Sequence, residues 1–514
     1  MMTNDVEIYK YLREINCCKS CCLRYLGCRN SQTYLDIKSS LSQLGIEECS
    51  ESLEPPHKQT KENVCVTCLD LLKERTTNDI LMQIEQSNKF NLYDNINIVC
   101  ALSLPICINL RALSVWLSLI NKFPSRFSKT VQPDVPLKEV WKFIFGPKLS
   151  EFYKITLATK GTILTVELEF ENEDEELEKL IKSKPDIFNS RRNEPKKYRH
   201  ILTRKFFENN ITPEHISFEE FDKYCNLPPS IPDFPLKIKN ISILGDTLFI
   251  AGRYNKFSRS LCQTPWIIDG KRMAESSVQE IIEEPVIKLF KCDKNLVHLI
   301  SSGREDVDVR CLGLGRPFVL ELQDVQYTKV TFSQLRDLEN TINKCPDLRV
   351  RDLQLVNRED VNHIKQGEEN KTKQYRALCL YNGQNNLTND MISILNKPDG
   401  FLIQQKTPIR VLHRRSMITR PRFIHNMKAT LILDHPNLFY LDVVTQAGTY
   451  VKELVHGDFG RTIPNVKDLL TCYLKEHNYE DAYKINVDIV ALDVTAIDLD
   501  WPPHIDIKTN CQDN

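Results

Sequence analysis

The sequence predicts an α+β protein: a cysteine-rich start, a mixed α/β middle, and a larger C-terminal domain around a mixed, largely antiparallel sheet. Three observations carry that prediction. Two CxxC pairs, Cys18–Cys21 and Cys65–Cys68, fall early in the chain. A proline-rich segment, Leu227 to Pro235, cannot continue a helix or a central strand and so divides the chain. Beyond it, alternating apolar and polar runs bounded by turn residues recur, with helical patterns between some of them. The expected domains are residues 1–80, 81–235 and 236–514.

A chain of 514 residues has room for two or three cores. Its 41% apolar and 27% charged content is that of an ordinary globular protein. With a formal net charge of −1, a polyanionic partner must be held by local patches and not by a global basic field. The first ten residues, MMTNDVEIYK, contain no apolar core of a secretory signal. The most apolar window, Asn95 to Leu110, contains Pro105 and stops at Arg111, too short for a membrane span, so no membrane partner is expected. Eighteen cysteines without a signal peptide argue for thiols and metal ligation in a reducing compartment.

Each CxxC pair places two thiolates at two corners of a tetrahedron, and four thiolates complete a closed site with no open position for catalysis. Cys18, Cys21, Cys65 and Cys68 are therefore expected to hold one structural zinc, with Cys17, Cys22 and Cys28 as substitutes or unrelated thiols. The plainer alternative is a set of reduced cysteines in a small helical segment. In the middle region, Ser114–Ile120 reads as part of an apolar helix, and Phe152–Leu157 and Thr162–Leu168 as paired strands around Lys160–Gly161. An acidic run, Glu171 to Glu178, reads as a solvated face. The basic cluster from Arg191 to Lys205, with Tyr198 and His200, could grip an RNA backbone or simply be surface.

Past the prolines, Ile241–Ala251 reads as a strand running into Gly252–Arg259. There Arg253, Lys256 and Arg259 interleave with Tyr254 and Phe257, which suits phosphate contact and stacking on an extruded nucleotide. A helix is expected over Ser276–Leu289 and a strand over Asn295–Ile300. A small-residue turn follows, carrying Arg304, Glu305 and Asp306, and Val307–Leu322 reads as a hairpin through Gly313 and Gly315. Alone, that turn is an ordinary charged loop. Next come a helix near Phe332–Asn343 and a strand around Val350–Val356. The Lys371–Tyr381 run alternates as a strand, with Tyr375 sharing a face with Lys373 and Ala377. A second basic loop holds Arg410, His413, Arg414 and Arg415, extended by Arg420 and Arg422, a density that reads as phosphate binding. Thr445–Arg461 reads as a strand end, a turn at Gly448 and a short helix capped by Thr449. Lys452 then lies in the first helical turn, where the macrodipole disfavours a cation and a nearby carboxylate would compensate. The last strand is expected over Ile485–Trp501.

Taken together, AGRYNKFSR (251–259), SSGREDVDVRCLGLGRPF (301–318), KTKQYRALCLY (371–381), QQKTPIRVLHRR (404–415) and TQAGTYVKELVHGDFGRTIPN (445–465) resemble the archaeal and eukaryotic tRNA pseudouridine synthase family ten. That family modifies uridines 54 and 55 of the TΨC loop. The resemblance spans roughly Ile241 to Pro503; around the cysteines it is one of pattern only, and over about 70–235 it is loose. It implies a pseudouridine-synthase catalytic domain preceded by an accessory domain with a segment that binds zinc through four cysteines and a THUMP-like α/β region. The family's catalytic aspartate matches Asp306, its active-site tyrosine Tyr375, its basic residue Lys452 beside Val451, and a further apolar position Leu492. The basic segments would add Arg253, Tyr254, Lys256, Arg259, Arg304, Arg410, His413, Arg414 and Arg415 as substrate contacts. Cys262 stands where a proline is expected.

The implied reaction detaches uracil from C1′, rotates it and rejoins it through C5, so no cofactor is consumed and zinc is structural only. The implied partner is the TΨC arm of tRNA, met by a monomer in nucleus and cytoplasm. Eukaryotic members are also linked to primary microRNA and its processing complex, which makes a non-catalytic RNA-binding factor the main rival. A glycoside hydrolase using Asp306 with Glu305 or Asp308 fits poorly, because two acids must flank a sugar bond from separate positions.

Overall fold

Buried helices, not strands, organise the beginning of the chain. The computed structural model describes residues 2–46, 63–95, 97–170, 207, 209, 211–364, 371–479 and 482–505. The acidic run at 171–178 and the basic cluster at 191–205 lie outside the described residues. Contacts divide the chain into two units, Met1–Asp246 and Thr247–Asn514.

In the first unit a sheet of four strands, β1 (Asn97–Ser103), β2 (Thr156–Leu157), β3 (Thr162–Glu169) and β4 (Lys237–Leu244), runs in the order β2-β1-β3-β4. β2 and β3 do not pair with each other, contrary to the reading of a hairpin around Lys160–Gly161. Both lie parallel to β1, one on each side. β1 takes the central place because Ile98, Cys100 and Leu102 bury one face. Gly161, at φ 132°, lets the connection press against it, since a Cβ there would come 2.3 Å from the Asn97 carbonyl. Phe152 and Tyr153, expected in a strand, end the helix Leu137–Tyr153. Cys17, Cys21, Cys65 and Cys68 share one apolar cluster with Trp141, Phe145 and Leu164, so the cysteine-rich start and the α/β region have a common core.

The second unit is built on one large mixed sheet. Its strands are β5 (Asp246–Lys256), β8 (Val297–Ser301), β9 (Val309–Val325), β10 (Leu348–Val356), β11 (Lys373–Asn382), β12 (Phe401–Lys406), β13 (Thr419–Ile432), β14 (His435–Thr445), β15 (Thr462–Ile463) and β16 (Asn486–Ile497). The order is β10-β5-β9-β16-β11-β14-β13-β12-β15, with β8 paired to β9. β9 and β16 run parallel; the β5–β10, β8–β9, β11–β14, β11–β16, β12–β13 and β13–β14 pairs are antiparallel. A small ribbon, β6 (Ile267–Ile268) with β7 (Lys271–Arg272), lies apart. The helix Val278–Phe290 buries Val278, Ile282, Val286 and Phe290, and Ser277 caps it by accepting from the Glu280 N–H. Among the described residues no helix is long and apolar enough to cross a membrane.

Two strand readings change. Val309–Val325 is one long strand and not a hairpin. Gly313 and Gly315, at φ 60° and 80°, bend it instead of reversing it, and a Cβ on Gly313 would lie 2.0 Å from the Thr495 carbonyl. Its start can then pair with β16 and its end with β8. β5 likewise continues through Gly252–Lys256, where a cationic loop was expected, with side chains buried on both faces.

Candidate functional site

Structure around Asp306 is built from beneath. Glu305 points inward and pairs with the buried Arg316 guanidinium at 2.8 Å. The Tyr254 hydroxyl donates to both Glu305 oxygens, at 2.9 and 3.1 Å. The Gln263 amide donates to the Tyr254 hydroxyl, Ser301 Oγ and the Gly303 carbonyl, at 2.8, 3.0 and 3.1 Å. Lys256 Nζ donates to the carbonyls of Leu261, Asp306 and Val307, at 2.8, 3.1 and 2.8 Å. Gly303 sits at φ 91°, and a Cβ there would come 2.6 Å from Lys373 Nζ. With its backbone fastened and its neighbour turned into the core, Asp306 faces a cavity of about 490 Å³.

Two cations meet the Asp306 carboxylate. Arg410 Nη1 donates to Oδ2 at 2.9 Å, and Lys452 Nζ lies 3.4 Å from the same oxygen. Lys452 is closer to Asp308, whose oxygens accept from Nζ at 2.8 and 2.7 Å. Burial pushes the Asp308 carboxyl up, but the hydrogen bonds and charge of Lys452 outweigh it, leaving Asp308 below the usual carboxylate range. Arg410 is anchored in turn: its Nε donates to the buried Glu453 at 2.7 Å, and its guanidinium lies 5.8 Å from the Tyr450 ring centroid. The helix Val451–His456 that carries Lys452 has Tyr450, not Thr449, as its N-cap. The buried Gln405 side chain fixes that cap, accepting from the Tyr450 N–H at 2.8 Å and donating to the Tyr450 carbonyl at 3.0 Å.

The cavity has an apolar floor and a cationic rim. Val309, Tyr375, Val451, Leu492 and Val494 line the floor; Arg304, Arg414, Arg415, Arg420 and Arg422 stand around it. Tyr375 lies in β11 between Val443 of β14 and Val494 of β16. Burial pushes its hydroxyl up to about 12, although Arg316 pulls the other way, so it remains an O–H donor at neutral pH. A carboxylate on an apolar floor beside a tyrosine ring, with guanidinium groups at the mouth, suits a planar uncharged base carrying phosphates. A cavity of this size admits a nucleotide.

One cavity thus brings together Arg304, Asp306, Tyr375, Arg410, Arg414, Arg415, Val451, Lys452 and Leu492. It excludes others proposed from sequence. Arg253 is buried and donates to the carbonyls of Leu314, Gly315, Leu499 and Trp501. Tyr254 and Lys256 are fully buried in the supports just described. These three are corrected from phosphate and base contacts to scaffold, because β5 is a strand covered on both faces. Arg259 donates to the Asp308 and Leu492 carbonyls at 2.8 and 2.9 Å and pairs with Asp493 at 2.6 Å, tying the turn to β16. His413 is exposed and outside the cavity lining. Sequence reasoning missed Glu453, Arg316 and Gln405, and gave Asp308 no partner. The acidic neighbour of Lys452 was the one available signal for Glu453.

In the first unit, the sulfurs of Cys18, Cys21, Cys65 and Cys68 all lie within 4.8 Å of one another. Four thiolates at about 2.3 Å from one metal would be about 3.8 Å apart, and Cys18 and Cys68 are separated by 3.7 Å. The second knuckle is closed by Asp70, whose carboxylate accepts from the Cys65 N–H at 2.8 Å, and the Cys18 N–H donates to Cys65 Sγ at 3.2 Å. Cys17 instead contacts Thr67 Oγ1 at 3.2 Å, and Cys22 Sγ faces the Cys17 carbonyl, so neither belongs to the cluster. These four can hold one metal ion.

Residues 249–498 match the family model described as Pus10, C-terminal, and residues 65–243 match that of eukaryotic Pus10, N-terminal. A Drosophila melanogaster Pus10 protein is 37% identical over 510 residues, covering 97% of this chain and 98% of its own. The Homo sapiens tRNA pseudouridine synthase Pus10 is 37% identical over 454 residues, covering 87% and 81%. A solved Cbf5–Nop10–Gar1 complex overlaps 48% of each chain at 15% identity with a TM-score of 0.26. On the family models and the full-length relatives, this chain belongs to the Pus10 family, whose curated members are named tRNA pseudouridine synthases.

Proposed function

We propose that this chain is a tRNA pseudouridine synthase acting on uridine 54, uridine 55 or both in the TΨC loop, with Asp306 as the attacking carboxylate. The observation that carries the reading is the Asp306 carboxylate on an apolar cavity floor, ion-paired to Arg410 and Lys452 and ringed by further arginines. The N1–C1′ bond breaks and uracil leaves with its electron pair. Asp306 either attacks C1′, forming a carboxylate–sugar bond, or takes up a sugar proton to leave a glycal. After rotation C5 bonds to C1′ as the carboxylate–sugar bond breaks or Asp306 returns the sugar proton, and C5 loses its proton as N1 gains one. Tyr375 packs on the detached base and Val451 and Leu492 keep water from it. Arg414 and Arg415 take phosphates, which positions an extruded nucleotide. The four cysteines suit structural zinc, and the first unit supplies a THUMP-like RNA-binding accessory domain.

Pseudouridine mapping on an unmodified tRNA transcript tests this. Asp306→Asn is expected to abolish product while RNA binding persists, and Tyr375→Phe to slow it. Product formed by Asp306→Asn at the wild-type rate would remove the nucleophile assignment.

A further inference from the structure

Phe459 is placed where neither packing nor backbone preference accounts for an aromatic. It is 96% exposed, so its ring buries almost nothing. It holds φ 56° and ψ 39°, the left-handed region that a bulky residue adopts only at a cost. The turn around it is nevertheless tightly tied. The Arg461 N–H donates to the Gly457 carbonyl at 3.0 Å and the Thr462 N–H to the same oxygen at 3.2 Å. Asp458, next to the ring, accepts from the Ile409 N–H at 3.2 Å, and Arg461 Nη2 donates to the Thr407 carbonyl at 2.5 Å. Thr407 and Ile409 are the root of the loop that carries Arg410, Arg414 and Arg415. The turn is thus clamped to the cationic loop, one residue from the arginine that touches Asp306. Ile409 and Ile463, 49% and 56% exposed, flank the same corner.

We propose that Phe459 is a stacking platform for an unpaired base of the RNA substrate, adjacent to the nucleotide in the Asp306 cavity. This rests on the reading of that cavity as an RNA site. Charge complementarity selects the occupant: the exposed aromatic stands on a turn tied to the loop that carries exposed Arg414 and Arg415, a combination of ring and cations that grips a single strand by base and phosphate together. An apolar protein partner would gain from the rings but would leave those guanidinium groups without counter-charges.

The test measures affinity of the full chain for an unmodified tRNA transcript as a function of salt. Phe459→Ala is expected to weaken binding about 5- to 100-fold, the size of one base stack, without changing the slope of log Kd against log salt. Arg414→Ala with Arg415→Ala should instead flatten that slope. Phe459→Trp should bind like wild type, whereas Phe459→Leu should not. Phe459→Gly should raise the melting temperature, because glycine accepts φ 56° without strain, while weakening RNA binding. Wild-type affinity in the Ala and Gly variants, or full rescue by leucine, overturns the stacking role. Failure of the wild-type chain to make pseudouridine would instead strike the underlying reading and leave the affinity comparison interpretable.

Discussion

Arg410 and Lys452 divide labour in a way that motif matching does not reveal. Lys452 has its shortest contacts with Asp308, while Arg410 reaches Asp306 only because Glu453 fixes its other edge. Glu453→Gln should therefore slow turnover about 10- to 100-fold by loosening the guanidinium, the scale of an ångström of misplacement. Single-turnover kinetics on the tRNA transcript check this, and Arg410→Lys should fare no better, since an ammonium lacks the planar fork whose Nε and Nη1 meet Glu453 and Asp306 separately. Asp308 makes a separate, pH-dependent contribution. Its folded-state affinity for protons is lowered, so its stabilisation is present above the ordinary aspartate value near 3.9 and is lost as pH falls through the lower folded value. With its side chain 61% exposed, the pair with Lys452 is worth under about 1 kcal/mol. Urea titrations should show Asp308→Asn slightly less stable than wild type at pH 7 and equal to it at the acid end.

Strands explain which sequence readings held and which did not. Period-two alternation marked β11, with Tyr375 on the same face as the buried Ala377, because one face of the strand meets the core. The same alternation could not say whether Gly313 and Gly315 reverse a chain or bend it. That depends on the Thr495 carbonyl of a strand nearly two hundred residues away. Nor could local sequence show that Arg253 and Lys256 are satisfied by carbonyls from 261 to 501, so they looked like free cations. Gly313→Ala should accordingly destabilise by about 2–4 kcal/mol through the clash and the positive φ, read from denaturant midpoints. On the helix Val278–Phe290, burial pushes Glu283 up to about 7, with Gln279 donating to it. An acid whose folded value is raised loses stability as pH climbs from about 4.5 to 7, because only the unfolded chain then gives up its proton. Glu283→Gln should therefore stabilise by about 2–3 kcal/mol at pH 8 and by nothing measurable at pH 4.

At the scale of the whole molecule, the two units have separate apolar clusters, and the four cysteines able to hold a metal ion pack into one of them. The CxxC spacing made the ligands legible. Their place inside the core of the α/β region was not, because Trp141, Phe145 and Leu164 reach them only through the tertiary fold. A metal held by these four thiolates would join the Lys19–Tyr25 helix to the Cys65–Cys68 knuckle, closing a loop of more than forty residues. Loss of that cross-link would free the loop and leave four sulfurs, three of them buried, without a counter-charge, which is why metal and fold are coupled in such sites. Calorimetry of the full chain should therefore resolve two transitions. A chelator, or Cys68→Ser, should lower only the one belonging to Met1–Asp246, by about 10 °C or more if the site contributes on the order of several kcal/mol. The Asp306 cavity lies wholly in Thr247–Asn514, so its transition should stay in place. A single transition that moves as a whole would show that the cysteine cluster stabilises both units, and the two cores would then not be independent.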